Sequence, residues 1–106
     1  MEAASSAPAF ADDAQISVKK TFGMYRFTVP AAQSTDGNIV FIYKINIYDA
    51  DGNNTYSDYI VNNYWNAQPF ETVTFKTGAV KSGSTVEITA LNAYYMSSDA
   101  LVYNVK

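Results

Sequence analysis

Residues 41 to 58 read FIYKINIYDADGNNTYSD. Phe41, Tyr43, Ile45 and Ile47 alternate with Ile42, Lys44, Asn46 and Tyr48. Successive side chains of a strand point to opposite faces, so this period of two predicts a strand with one strongly buried face. The strand spans 39–49 and runs into Asp-Ala-Asp-Gly-Asn-Asn, where Asp51-Gly52 signals a hairpin. A returning strand over 55–62 (TYSDYIVN) is weaker in pattern and suits a sheet edge.

The same grammar extends in both directions. Residues 15–20 (QISVKK) set Ile16 and Val18 on one face, and Phe22-Gly23 forms a turn. In 24–29 (MYRFTV), Tyr25, Phe27 and Val29 alternate with Arg26 and Thr28. Pro30 ends that strand because proline has no N–H to give a ladder. Residues 31–38 are a polar connection, and 63–69 a loop carrying Tyr64 and Trp65. In 70–77 (FETVTFKT), Val73 and Phe75 are the expected buried pair, followed by a turn over 78–83. Residues 84–93 place Val86, Ile88 and Ala90 inward and Glu87 and Thr89 outward. A loop over 94–99 and a last strand over 100–106 complete the chain. About seven short strands with no helix-period segment predict an all-β, antiparallel seven-stranded β-sandwich of fibronectin type III or immunoglobulin-like kind, with a small β-barrel as the competing architecture.

At 106 residues the chain is expected to be one domain, with 1–9 (MEAASSAPA) a linker or frayed end and 10–106 the sandwich. Met1 is followed by Glu2 and small residues, so no signal peptide is read here. His and Cys are both absent. That excludes a Ser-His-Asp triad, a Cys-His dyad, thiolate or imidazole metal ligation and a disulfide framework. No cofactor is expected. The net charge of −3 argues against nucleic acid and against an anionic membrane surface, and Lys19-Lys20 reads as a solvated strand end. No apolar run approaches the ~20 residues of a membrane span.

The strand series Ile16-Ser-Val18, Tyr25-Arg-Phe27-Thr-Val29, Tyr43-Lys-Ile45-Asn-Ile47 and Val86-Glu-Ile88-Thr-Ala90-Leu-Asn92 resembles a fibronectin type III domain. Tyr43-x-Ile45-x-Ile47-x-Asp49-x-Asp51-Gly52, Ser57-Asp58-Tyr59, Ser82-Gly83-Ser84 and Ala90-Leu-Asn92-Ala-Tyr94-x-x-Ser97-Ser98 look most like the C-terminal accessory domain of secreted bacterial calcineurin-like metallophosphoesterases. The resemblance implies a non-catalytic module, secreted, periplasmic or at the cell surface, whose partner is a catalytic domain of the same polypeptide. The alternative is a carbohydrate- or protein-binding adhesion module of a cell-surface protein. Two departures stand out. Such domains carry a corner tyrosine early in the strand that holds Val86, where this chain has Ser84 or Val86. They also place Gly after the Ala-x-Asn segment, where this chain has Tyr95, which implies either a φ that is no longer positive or a reshaped loop.

Candidate sites each have an ordinary reading. Asp49-Ala-Asp51-Gly52-Asn53 has a calcium-loop look, but its Gly falls at position 4 and Ile60 stands at position 12, so a plain hairpin turn is expected. Asp36, Asp49, Asp51, Asp58, Glu71, Glu87 and Asp99 lie in turns or outward positions and not in apolar pockets that would tune an acid/base pair. The functional candidates are aromatic: Tyr56, Tyr59, Tyr64, Trp65, Tyr94 and Tyr95, together with Tyr48. Trp and Tyr give large rigid contact area with a polar handle. Their alternatives are capping the sandwich ends, docking a neighbouring domain, or stacking on sugar rings.

Overall fold

The computed structural model describes residues 7–33, 40–61, 72–92 and 94–106. Among these residues seven strands form two antiparallel sheets. They are β1 (Ser17–Thr21), β2 (Met24–Pro30), β3 (Val40–Tyr48), β4 (Asn54–Val61), β5 (Thr72–Gly78), β6 (Thr85–Asn92) and β7 (Leu101–Asn104). The smaller sheet has the order β1-β2-β5 and the larger β4-β3-β6-β7. No described helix is long and apolar enough to cross a membrane.

Each sheet has one apolar face, and burying both faces against each other drives the packing. Phe27, Val29, Val73 and Phe75 come from the smaller sheet, and Tyr43, Ile45, Ile47, Val86, Ile88 and Ala90 from the larger; none exceeds 3 % exposure. These are the inward positions that the period of two predicts. The side chain of Phe41 lies outside the described residues. The Phe27 ring sits 6.2 Å from Tyr25 and 6.4 Å from Tyr103, the latter edge-on. β4 lies at a sheet edge, as its weaker pattern suggests.

Local departures have local causes. The register of β3 against β6 shifts between Val40 and Ile42, and this irregularity lets Val40 turn inward with Tyr43, three residues on. Pro30 belongs to β2 and pairs with Thr72, because the β1 ladder already stops at Thr28 and leaves Pro30 a neighbour on one side only. Thr77 joins Val73 and Phe75 on the buried face, and its hydroxyl donates to the Gly78 carbonyl at 2.7 Å. Ser84 and Val86, the two positions that stand in place of the corner tyrosine, are both buried. Another tyrosine ties down a different corner: the Ala32 N–H donates to Tyr43 Oη at 3.1 Å. Burial pushes that phenol above its ordinary range, partly offset by the bond from Ala32.

The registers fix what lies at each end. Met24, Tyr48, Gly78, Thr85 and Asn104 share one end, with the turns 22–23, 49–53 and 79–84. Pro30, Val40, Val61, Thr72 and Asn92 share the other, with the loop that follows Asn92. Ala9 bridges Gln33 at this second end, through bonds of 2.9 and 2.7 Å, and the Phe10 ring packs tilted against Tyr43, centroids 6.5 Å apart. Val105 is held at the first end by bonds to Gly83 and Ser84.

Candidate functional site

Two loops, one at each end, share one hydrogen-bond plan. In 49–53 the Asp49 N–H donates to the Asn53 carbonyl at 2.8 Å and the Gly52 N–H to the Asp49 carbonyl at 3.0 Å. Asp49 Oδ1 accepts from the N–H groups of Asp51 and Asn53, both at 2.9 Å. In 92–96 the Asn92 N–H donates to the Met96 carbonyl at 3.2 Å and the Tyr95 N–H to the Asn92 carbonyl at 3.0 Å. Asn92 Oδ1 accepts from the N–H groups of Tyr94 at 2.9 Å and Met96 at 3.1 Å. One side-chain oxygen thus gathers two backbone donors in each loop, the turn-building habit of Asp and Asn.

The fourth residue of each loop takes the left-handed conformation. Gly52 does so at φ +86°, with no steric cost. Tyr95 does so at φ +61° and is the one non-glycine among the described residues with positive φ. Of the two outcomes expected for a bulky residue here, the first is overturned: φ stays positive. The bonds that Asn92 accepts shape the backbone, and Tyr95 bears the strain. A strained conformation of this kind persists only where its surroundings over-determine it.

Tyr94 and Tyr95 are 63 % and 73 % exposed. Behind them the chain is tied back to β6: the Ala90 N–H donates to Ser98 Oγ at 2.9 Å and the Ser98 N–H to the Ala90 carbonyl at 2.8 Å. These bonds tie the chain that follows the two solvated phenol rings to β6.

The other aromatic candidates do not converge on this loop. Tyr59 is exposed on the outer face of the larger sheet, opposite Lys44. Tyr56 is half-buried near the first end, and its hydroxyl donates to Asp58 Oδ2 at 3.2 Å. Burial, then the Asp58 charge, pushes the Tyr56 phenol up. Tyr64 and Trp65 lie outside the described residues. Tyr56 also lines a groove of about 310 Å³ between the sheets, with Ile47, Thr77, Val80 and Lys81. That volume is at the small end for ligand sites. The Thr77 and Tyr56 hydroxyls are already engaged, so the groove offers few convergent polar groups.

The acidic hairpin acts as a turn. Both oxygens of Asp49 accept bonds from its own loop, the second from Asn53 Nδ2 at 3.4 Å. Asp58 accepts from Tyr56 and from the Tyr59 N–H. Among the described residues no group of three or more Asp, Glu, His or Cys could hold a metal ion. The backbone bond from Asn53, then the other loop donors, hold the Asp49 carboxyl below its ordinary value despite partial desolvation. The stability it adds is therefore full above the ordinary carboxyl pKa of 3.8 and is lost as pH falls through the lower folded value. Asp49→Asn keeps the accepting oxygen, as Asn92 does in the twin loop. At pH 7 it lacks the charge-linked part of that stability and should melt somewhat below wild type, and between about pH 5 and pH 2 it should fall less steeply, so that the two curves converge in acid. Parallel melting curves for the two proteins across that range would remove Asp49 from the acid response.

Two facing antiparallel sheets with this strand order define an immunoglobulin-like β-sandwich. Among solved structures the chain is similar to the PKD domain of an M14-like peptidase from Thermoplasmatales archaeon SCGC AB-540-F20, at a TM-score of 0.62 and 18 % identity, covering 97 % of each chain. At that identity the likeness establishes the fold. No family model matches the sequence, and no curated protein matches it.

Proposed function

We propose that the chain is a non-catalytic accessory module that packs against, or positions, the catalytic domain of a secreted hydrolase, and that it docks through Tyr94 and Tyr95. The observation that carries this is Tyr95 itself. A glycine would occupy φ +61° without strain. The chain instead holds a large, solvated ring there beside a second one. Exposed rigid aromatics of this kind are effective anchors once a partner desolvates them. The fold neighbour is a domain of a peptidase, and the sequence resemblance points to a metallophosphoesterase. Both support the reading of a module beside a hydrolase's catalytic domain, and the secreted, periplasmic or cell-surface location rests on the sequence resemblance. The alternative, an adhesion module for glycan or protein, draws on Trp65, which lies outside the described residues.

The test is calorimetry on the isolated domain and on the polypeptide encoded by the complete open reading frame. Tyr95→Gly relieves up to about 1 kcal/mol of backbone strain and should raise the melting temperature of the isolated domain by up to about 4 °C. Docking predicts that the module melts higher within its parent than alone. Tyr94→Ser with Tyr95→Gly should abolish that increment. An increment that survives the double variant would refute docking through this loop.

A further inference from the structure

The charged side chains on the outer face of the smaller sheet are all cations. Directly paired across its three strands are Lys19, Arg26 and Lys76: Lys19 opposes Arg26, and Arg26 opposes Lys76. Phe27 and Phe75 point into the core, so alternation turns Arg26 and Lys76 outward, and all three cations are exposed. Directly opposed residues have Cα atoms ~4.5–5.5 Å apart, so the row spans about 10 Å. The sequences of the three strands, SVKKT, MYRFTVP and TVTFKTG, contain no Asp or Glu. No ion pair to any of the three is found among the described residues.

The row has ordered neighbours. Towards the second end lies a row of hydroxyls, Ser17, Thr28 and Thr74, with Thr28 Oγ1 and Thr74 Oγ1 hydrogen-bonded at 3.1 Å. Towards the first end lie Thr21 and Met24, then the hairpin tip with Phe22. Phe22 is 105 % exposed, more than any other large apolar side chain described, and Met24 is 49 % exposed.

Like charges directly opposite in a sheet are destabilising. Lysines on edge strands do discourage edge-to-edge pairing, which accounts for Lys19 on β1 and Lys76 on β5. It does not account for Arg26, which sits on the central strand. A row that raises the energy of the free domain is compensated when an anion lies across it.

We propose that this face binds a linear anionic polysaccharide laid across the three strands, with Arg26 as the central contact. A glycan supplies what each row calls for: carboxylates or sulfates for the cations, hydroxyls for Ser17, Thr28 and Thr74, and apolar C–H faces for Phe22 to stack on. A bilayer fits less well, since a surface that met the Phe22 tip end-on would also meet Asp51 in the 49–53 turn at the same end. Overall charge does not preclude this site, because the acidic residues lie off these three strands.

Affinity electrophoresis through gels holding polygalacturonate, dextran sulfate or neutral dextran tests the proposal. The wild-type domain should be retarded by at least one of the two anionic polymers and not by neutral dextran. Retardation should fall with salt, with a log–log slope of about 2–3 for three neutralised cations. Arg26→Glu should weaken binding at least about tenfold, Arg26→Lys should largely keep it, and Phe22→Ser should weaken it by several-fold. Arg26→Thr, which removes the like-charge contacts, should also lose binding while melting no lower than wild type. Tyr94→Ser with Tyr95→Gly should bind as wild type does, which separates this face from the docking loop. Equal retardation by neutral dextran, wild-type binding by Arg26→Thr, or no retardation in either anionic gel would overturn it. So would capture by phosphatidylglycerol vesicles without polysaccharide binding, or an equal affinity for single-stranded DNA.

Discussion

Asn92→Ala is expected to destabilise the domain by about 2–3 kcal/mol and lower its melting temperature by roughly 10 °C. Asn92 is only 2 % exposed, and its Oδ1 is the shared acceptor for the Tyr94 and Met96 N–H groups. Alanine deletes both bonds and leaves space where a packed amide stood. Without that acceptor only the two backbone bonds between Asn92 and Tyr95 and Met96 hold Tyr95 left-handed, so the loop should relax and its two phenol rings should lose their fixed orientation. Amide exchange at Tyr94 and Met96 should accelerate well beyond the change at the β6 centre. Asn92→Ser should recover part of the loss, because a hydroxyl builds the same kind of turn more weakly. A melting temperature within about 2 °C of wild type for Asn92→Ala would show that the loop is held from elsewhere.

Phe27→Ala should have the larger effect, about 3–5 kcal/mol. Phe27 is fully buried, opposes Phe75 in the β2–β5 ladder and touches the Tyr25 and Tyr103 rings, so it spans both sheets. Truncation removes transfer energy and leaves a cavity that two hydrogen-bonded sheets cannot close by moving together. A domain of this size holds roughly 5–15 kcal/mol in total, so the variant should sit near the edge of folding at 37 °C. Urea denaturation gives the number directly. A loss under about 1.5 kcal/mol would mean that the sheets do collapse onto the vacancy and that the core is less tightly interlocked than its burial implies.

What was legible in the chain depended on how local its cause is. Tyr43, Ile45 and Ile47, and again Val86, Ile88 and Ala90, announce their faces through a period that any sheet imposes. The Asp49–Asn53 turn is legible because Asp49 supplies its acceptor and Gly52, four residues into the same short run, its left-handed residue. The equivalent Asn92 loop was not. It has the same acceptor, but Tyr95 stands where the local rule calls for glycine, and only the hydrogen bonds reveal that the backbone went left-handed anyway. The Lys19–Arg26–Lys76 row was hidden for a different reason. Its members are 7 and 50 residues apart in sequence, and strand register alone aligns them. Phe22 read as an ordinary turn residue, since nothing local to a two-residue turn tells whether its ring folds back or stands free.

The placement of Ala9 and Val105 at opposite ends of the strands has a mechanical consequence. A pull applied through these two points is directed from one end of the strands to the other, whereas ladder hydrogen bonds run across them. The load then falls on five residue pairs of β1–β2 and four of β6–β7 together, in shear, instead of unzipping them one at a time. A unit loaded in this way resists tension up to a sharp yield force and then gives way at once.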